Sequence, residues 1–379
     1  MTRRRRRVAA ITGTRAEYGP FRSIMAAIRN QSSLQLQTIV TGIHLLREFG
    51  RTVDLIARDG WRIDARIRMQ TGSDDPLDQA AGLGRGVAGI ARFLESAHTD
   101  IVLVLGDRIE AMAGALAGVT TGRIVAHVHG GDVAPGDFDD SLRHAITKLA
   151  HIHLPATRQA ARRIIRLGEH ANRVYVVGAP GLDRMRELIA AEPRRRGRSG
   201  MALIVQHAYG RSAEVEEQAA TVVLDAVRAA GLRRLIIYPN TDRGHSGVLH
   251  AIKRHQKKSS PADVELVRSL PRDDYLRALL NADVLIGNSS SGIIEAPLAG
   301  TPSVNVGDRQ AGRQVGGPSV IHARESLQSV RAALRAALKK RPRRGGRNVY
   351  GDGQAGLRIA EILARTPLND DLLRKRISY

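Results

Sequence analysis

Asp283-Val284-Leu285-Ile286-Gly287-Asn288-Ser289-Ser290-Ser291-Gly292-Ile293-Ile294-Glu295-Ala296 decides the fold class. Its apolar start reads as a buried parallel strand, and Ile293 to Ala299 reads as the start of a helix. The intervening turn therefore lies where backbone N–H groups and a helix N-terminus favour an anion. The three serine hydroxyls add donors there, and the flanking glycines admit close approach of a ligand to the backbone. Glu295, one turn on, suits a diol such as a ribose better than a phosphate, because a carboxylate accepts two hydrogen bonds. Val304-Asn305-Val306-Gly307-Asp308-Arg309 then forms a second strand that ends in a guanidinium able to fork onto a phosphate. Together these features predict a nucleotide diphosphate site on an α/β doubly wound domain.

Strand and helix patterns alternate in the same way along the rest of the chain. At 379 residues and 42% hydrophobic content the protein can bury two cores, and with 3% aromatics they must be built from Ala, Val, Leu and Ile. The arginine-rich run 193–200 reads as a linker. It separates a domain over residues 1–190 from one over 201–354, and a helix within 355–379 is expected to cross back to the first. There are no cysteines, which excludes disulfides and cysteine-ligated metals and fits a reducing cytoplasm. No apolar run is long enough to span a bilayer, and Gly13 and Arg15 cut short the signal-like N-terminus. The net charge of +22, from 59 basic and 37 acidic residues, is spread along the chain. It reads as a solvated, arginine-biased surface rather than a specific nucleic-acid site.

In the first half, Val8 to Thr12 is a strand that turns through Gly13-Thr14-Arg15 into a helix, placing Arg15 at a strand's carboxyl end. Leu36 to Val40 brings His44 to the same rim. Ile101 to Leu105 ends in Gly106-Asp107-Arg108, and Ile124 to His129 is read as a strand carrying His127 and His129 on one face. Their spacing invites a metal, with Asp132 or His144 as further ligands, but nothing around them resembles a metal-hydrolase motif. Asp132, Asp137, Asp139 and Asp140 put four aspartates in nine residues. Helix capping explains one of them; the cluster suits proton abstraction, because close like charges and burial raise a carboxylate pKa. Val174 to Gly178 is expected to be a further strand, and His207 closes the first strand of the second half, Met201 to His207.

Gly13-Thr14-Arg15-Ala16-Glu17-Tyr18-Gly19, Gly106-Asp107-Arg108, His127 to Asp132, Asp139 to Lys148, Gly287 to Glu295 and Gly307 to Gln310 together resemble the hydrolysing UDP-N-acetylglucosamine 2-epimerases. The relatives acting on UDP-N,N'-diacetylbacillosamine share the same blocks. The resemblance implies a GT-B fold of two Rossmann-like domains with the nucleotide sugar in the cleft, no metal or redox cofactor, and a homodimer or homotetramer. It also implies loss of UDP across C1 and C2 to give a glycal, followed by hydration with the opposite C2 configuration, in sialic-acid-like or legionaminic acid biosynthesis. On the matching positions, Asp107 and Asp139 are the candidate bases, and His207, Asp132 and His129 are the candidates for delivering water and a proton. Arg15, Ser289, Ser290 and Arg309 are expected at the diphosphate, Glu295 at the ribose, and the backbone of 269–271 at uracil. Arg108, His44, Asn240 and Gly292 complete the expected UDP-sugar contacts. A glycosyltransferase of the same fold is the other enzyme class considered, and the aspartate cluster argues against it. A polyanion-binding protein driven by charge is the nonenzymatic alternative, and it predicts steeply salt-dependent binding.

Overall fold

In β1 (Arg6–Thr12) alternate side chains enter opposite cores: Val8 and Ala10 pack with Phe21, Ile24 and Ile28, whereas Ala9 and Ile11 pack with Val102, Val104 and Ala113. A strand covered on both faces has no polar side, which is why it reads as a continuous apolar run. The computed structural model describes residues 4–378 other than 48–50, 72–75, 134–138, 193–196, 240–243 and 269.

β1 is joined in one sheet by β2 (Leu34–Thr41), β3 (Ala65–Ile67), β4 (Ile101–Leu105), β5 (Ile124–Val128) and β6 (Ile152–Leu154), in the order β3-β2-β1-β4-β5-β6. A second sheet contains β7 (Met201–Val205), β8 (Arg233–Ile237), β9 (Val264–Val267), β10 (Val284–Gly287), β11 (Ser303–Val306) and β12 (Val320–Ala323), in the order β12-β11-β10-β7-β8-β9. The paired strands in both sheets are parallel. Read from its other edge, the second order is the first one over again. Each sheet is doubly wound and reverses direction once, at β1/β4 in the first and at β7/β10 in the second. Ligands of such sheets bind outside the carboxyl ends of the strands at that reversal. The repeat is one of topology, and no close repeat is visible in the sequence.

Cα packing divides the chain into two compact units. The second spans Arg184–Gly353, and the segment from Gln354 onward belongs to the first. There the helix Ala355–Arg365 starts on Asp183, whose carboxylate accepts from Ala355 N at 2.9 Å and Gly356 N at 2.7 Å. Its Ile359 and Leu363 join the core beneath the helix Arg15–Asn30. The tail is pinned by Lys375, 2.9 Å from Glu169, which also binds Lys148 at 2.6 Å and His153 at 3.1 Å. Burial would raise the Glu169 pKa, but hydrogen bonds from His153, Lys148 and Lys375 outweigh it and hold the group at about 2.

Two local expectations are corrected. Val174 to Gly178 is not a strand: Tyr175 N and Val177 N reach the carbonyls of His153 and Pro155, and only one bridge, His153 to Val174, forms. The short edge strands β3 and β12 leave little periodic signal in the sequence, with burial that only partly alternates. The helix after Ser290 is broken into Ser291–Ile294 and Ala296–Ala299, with Pro297 at the start of the second piece. Among the described residues no helix is long and apolar enough to cross a membrane.

Candidate functional site

At the β7/β10 reversal one residue, through its side chain and its main-chain carbonyl, ties three strand ends together. Asn288, fully buried, accepts from His207 N and donates to His207 O, both at 2.8 Å, so it extends the β7–β10 pairing by one residue. Its carbonyl accepts from Gln310 Nε2 at 2.9 Å and from Arg309 Nη1 at 3.3 Å, which draws in the turn after β11. His207, Ser289 and Ser290 are left half-buried beside Arg309. Burial, and secondarily the charge of Arg309, lower the His207 pKa to about 3, so its imidazole is neutral at neutral pH. A phosphate arriving beside it would reverse the sign of the local field and raise that pKa.

Ser290 precedes the broken helix without making a side-chain cap, while Ser289 Oγ accepts from Ser291 N at 3.3 Å. With one turn before the break, the helix contributes little dipole. The donors available to an anion here are instead hydroxyls, N–H groups and Arg309. Glu295 is buried, with one oxygen held by the Arg272 guanidinium and the other by the Ser291 hydroxyl. The sequence reading missed both Arg272 and Asn288. Arg272 opens a separate helix, and Asn288 looks like an ordinary turn residue.

The first unit gathers its acids around Arg143, which was also missed as a site residue. Arg143 is 4% exposed and projects from the helix Asp139–Leu149 to pair with Asp107, which follows β4. Its Nη1 donates to His129 O at 3.4 Å, and its Nε lies 3.7 Å from Asp140 Oδ1. One buried cation thus joins the turns after β4 and β5 to the start of that helix.

His129 and His127 do not share a face. β5 ends at Val128, and His129 turns into the left-handed region at φ 63°, held there by donation from its N–H to Leu154 O. Its Nδ1 lies 3.0 Å from Asp132 Oδ2. His127 is fully buried, with Nε2 2.7 Å from Gly106 O and Nδ1 3.2 Å from Thr147 Oγ1, and burial pushes its pKa down to about 3. It braces the turn that presents Asp107. No group of metal-binding side chains is found among the described residues.

His44 is also fully buried. Its ring nitrogens lie 3.0 Å from Thr12 Oγ1 and 2.5 Å from Thr52 Oγ1, so it fastens β1 to the turn after β2 rather than presenting a free edge to a ligand. Arg15 begins the helix after β1. Asn240 lies outside the described residues, as does residue 269 of the stretch expected at uracil.

Next to the acids, Glu17 closes a capping box, its Oε2 accepting from Gly13 N at 3.0 Å and Thr14 N at 3.2 Å. Burial, reinforced by the charge of Glu110, raises its pKa to about 8. A carboxyl raised on folding gives its full stability below its unfolded pKa, near 4.5, and loses it as pH rises through about 8. Glu17→Gln, which mimics the protonated acid, is therefore expected to gain stability relative to the wild type as pH increases over that range. Thermal unfolding at a series of pH values measures this, and parallel curves for the two proteins would contradict it.

A description of UDP-N-acetylglucosamine 2-epimerases fits residues 26–364. The chain belongs to the UDP-N-acetylglucosamine 2-epimerase family. Across 99% of this chain and 100% of the other, it is 32% identical to a Legionella pneumophila UDP-N,N'-diacetylbacillosamine 2-epimerase (hydrolyzing). Across 88% and 87% it is 34% identical to a Neisseria meningitidis UDP-N-acetylglucosamine 2-epimerase. In fold this family member is similar to the crystal structure of a Neisseria meningitidis UDP-GlcNAc 2-epimerase bound to UDP-GlcNAc. That likeness has a TM-score of 0.76 at 16% identity, covering 95% of this chain and 100% of that one. The α/β fold of this epimerase-family chain is therefore of the GT-B type.

Proposed function

We propose that the protein is a hydrolysing UDP-N-acetylglucosamine 2-epimerase, converting UDP-N-acetylglucosamine and water to N-acetylmannosamine and UDP. The observation that carries this reading is the Arg143-centred cluster of Asp107, His129 and Asp132 at one sheet reversal, in a chain whose other reversal bears hydroxyls, His207 and Arg309.

A carboxylate, Asp107 or Asp139, takes the C2 proton as the C1–O bond breaks and UDP leaves, giving the C1=C2 glycal. Water then adds its hydroxyl to C1, and a proton returns to C2 on the opposite face, with His207, Asp132 and His129 assigned to these transfers. Ser289, Ser290 and Arg309, with Arg15, are assigned to the departing diphosphate, where fixed donors act on developing charge, and Gly292 to a further UDP-sugar contact. Glu295, oriented by Arg272, is assigned to the ribose diol. The neutral His207 suits a group that gains a proton as the negative charge of UDP develops. We assign the protein to the cytoplasm as a homodimer or homotetramer, with no cofactor.

The same reaction on UDP-N,N'-diacetylbacillosamine is the second reading, favoured by the full-length similarity to the Legionella pneumophila protein. Proton NMR in deuterated water with each sugar nucleotide tests both. Release of UDP with a manno product deuterated at C2 is expected, and the faster substrate identifies the specificity. UDP release with the gluco configuration and hydrogen kept at C2 would mean simple hydrolysis and remove the roles given to the carboxylates.

A further inference from the structure

We infer that Glu110 is a positioning residue that clamps Arg108 and so sets the charge next to Asp139. The inference rests on the proposed function, with Arg108 as a UDP-sugar contact and Asp139 as a candidate base.

Glu110 lies in the first turn of the helix Ile109–Thr120 and is 1% exposed. A carboxylate there would favour the helix dipole even in solvent, so the dipole does not explain the burial. What permits it is a slot without Cβ atoms. A Cβ on Gly13 or on Gly42 would overlap the Glu110 side chain, so the turns after β1 and β2 are both kept open for it. Inside the slot Glu110 Oε1 accepts from Gln70 Nε2 at 3.0 Å. Oε2 faces Arg108 Nε at 3.4 Å, and both of these atoms are buried with no other hydrogen-bond partner.

Arg108 is thus divided along its length. Its Nε is enclosed against Glu110, while 43% of the side chain is exposed and its outer nitrogens can face a ligand. The carboxyl groups acting on it come from three helices: Glu110 from its own, Glu17 from Arg15–Asn30 and Asp139 from Asp139–Leu149. Burial opposes the Arg108 charge, and these three carboxyl groups outweigh it. Because Glu110 binds the inner edge of the guanidinium, loss of that bond would free Arg108 to turn towards Asp139.

The test is the pH dependence of kcat/KM for the UDP-sugar turned over by the wild type, compared with Glu110→Gln, Arg108→Gln and the double variant. Glu110→Gln keeps the shape of the side chain and removes the charge. It is expected to lower kcat by about tenfold or more and to move the acid limb to lower pH, as Arg108 turns to Asp139. In the Arg108→Gln background the same substitution should have little further effect. Arg108→Lys leaves the slot intact but lacks Nε, and it carries the same expectation should Glu110→Gln fail to fold. An unmoved acid limb in both Glu110→Gln and Arg108→Lys, or equal effects of Glu110→Gln in the two backgrounds, would overturn the inference alone. No turnover of either UDP-sugar by the wild type would overturn the proposed function and the inference with it.

Discussion

Asp107→Asn is expected to lower turnover of the UDP-sugar by roughly 10²–10⁴-fold, the range for a positioned general base, with the affinity for UDP unchanged. The split follows from placement. Asp107 ends the turn after β4, whereas the groups assigned to the uridine diphosphate lie mainly on the turns after β7, β10 and β11. Asn preserves volume and hydrogen-bonding capacity, so the loss reports the missing charge. That charge also neutralises Arg143, which is 4% exposed. Removing the partner of a buried ion costs about 3–5 kcal/mol when nothing replaces it. Asp140, 3.7 Å from Arg143 Nε, is in place to take over part of the pairing, so a smaller loss of thermal stability is expected. Steady-state kinetics, UDP titration calorimetry and exchange of the C2 proton into deuterated water make the check. Turnover within tenfold of wild type, with C2 exchange intact, would eliminate Asp107 as the base and leave Asp139.

Gly287→Ala is expected to destabilise the second unit and abolish UDP binding. Gly287 sits at φ 136°, and a Cβ there would overlap the carbonyl of Val205 on the neighbouring strand. The backbone conformation alone costs an L-residue about 1–3 kcal/mol, and the overlap adds to it by pushing β10 away from β7. Asn288 follows immediately, so its bonds to His207, Arg309 and Gln310 would all be disturbed. A fall in melting temperature of roughly 5 °C or more is expected, together with loss of the calorimetric signal for UDP. Gly292→Ala is the control for stability, since a Cβ there meets nothing closer than Ser303 Cβ at 3.6 Å. If Gly287→Ala melts and binds UDP like the wild type, the rim is not organised around Asn288 as described.

The two reversals show how far a linear reading reaches. The strands that carry them were legible because they are buried on both faces, which gives continuous apolar runs such as Ile101 to Leu105 and Val284 to Ile286. Their carboxyl ends were then found by inspection of the next residues, among them Asp107, His207 and Ser289. Arg272 and Arg143 were not singled out, because an arginine in an amphipathic helix has no sequence mark that separates a buried partner of a carboxylate from a solvated surface group. His44 and His127 show the opposite case. Each sits at a strand end or within a strand, as a site residue would, and each is fully enclosed with its ring nitrogens held by neighbours.

The sequence by itself determined the fold class, the alternation of elements in both halves and the family blocks, because these depend on local periodicity and on residues adjacent in the chain. The tertiary structure decided which side chains meet. Glu110 lies in its slot because Gly13 and Gly42, remote in sequence, lie in the turns after adjacent strands, and Asn288 closes the second rim because β10 lies between β7 and β11. Such contacts are set by strand order and packing across the sheet, and no local pattern of residues encodes them.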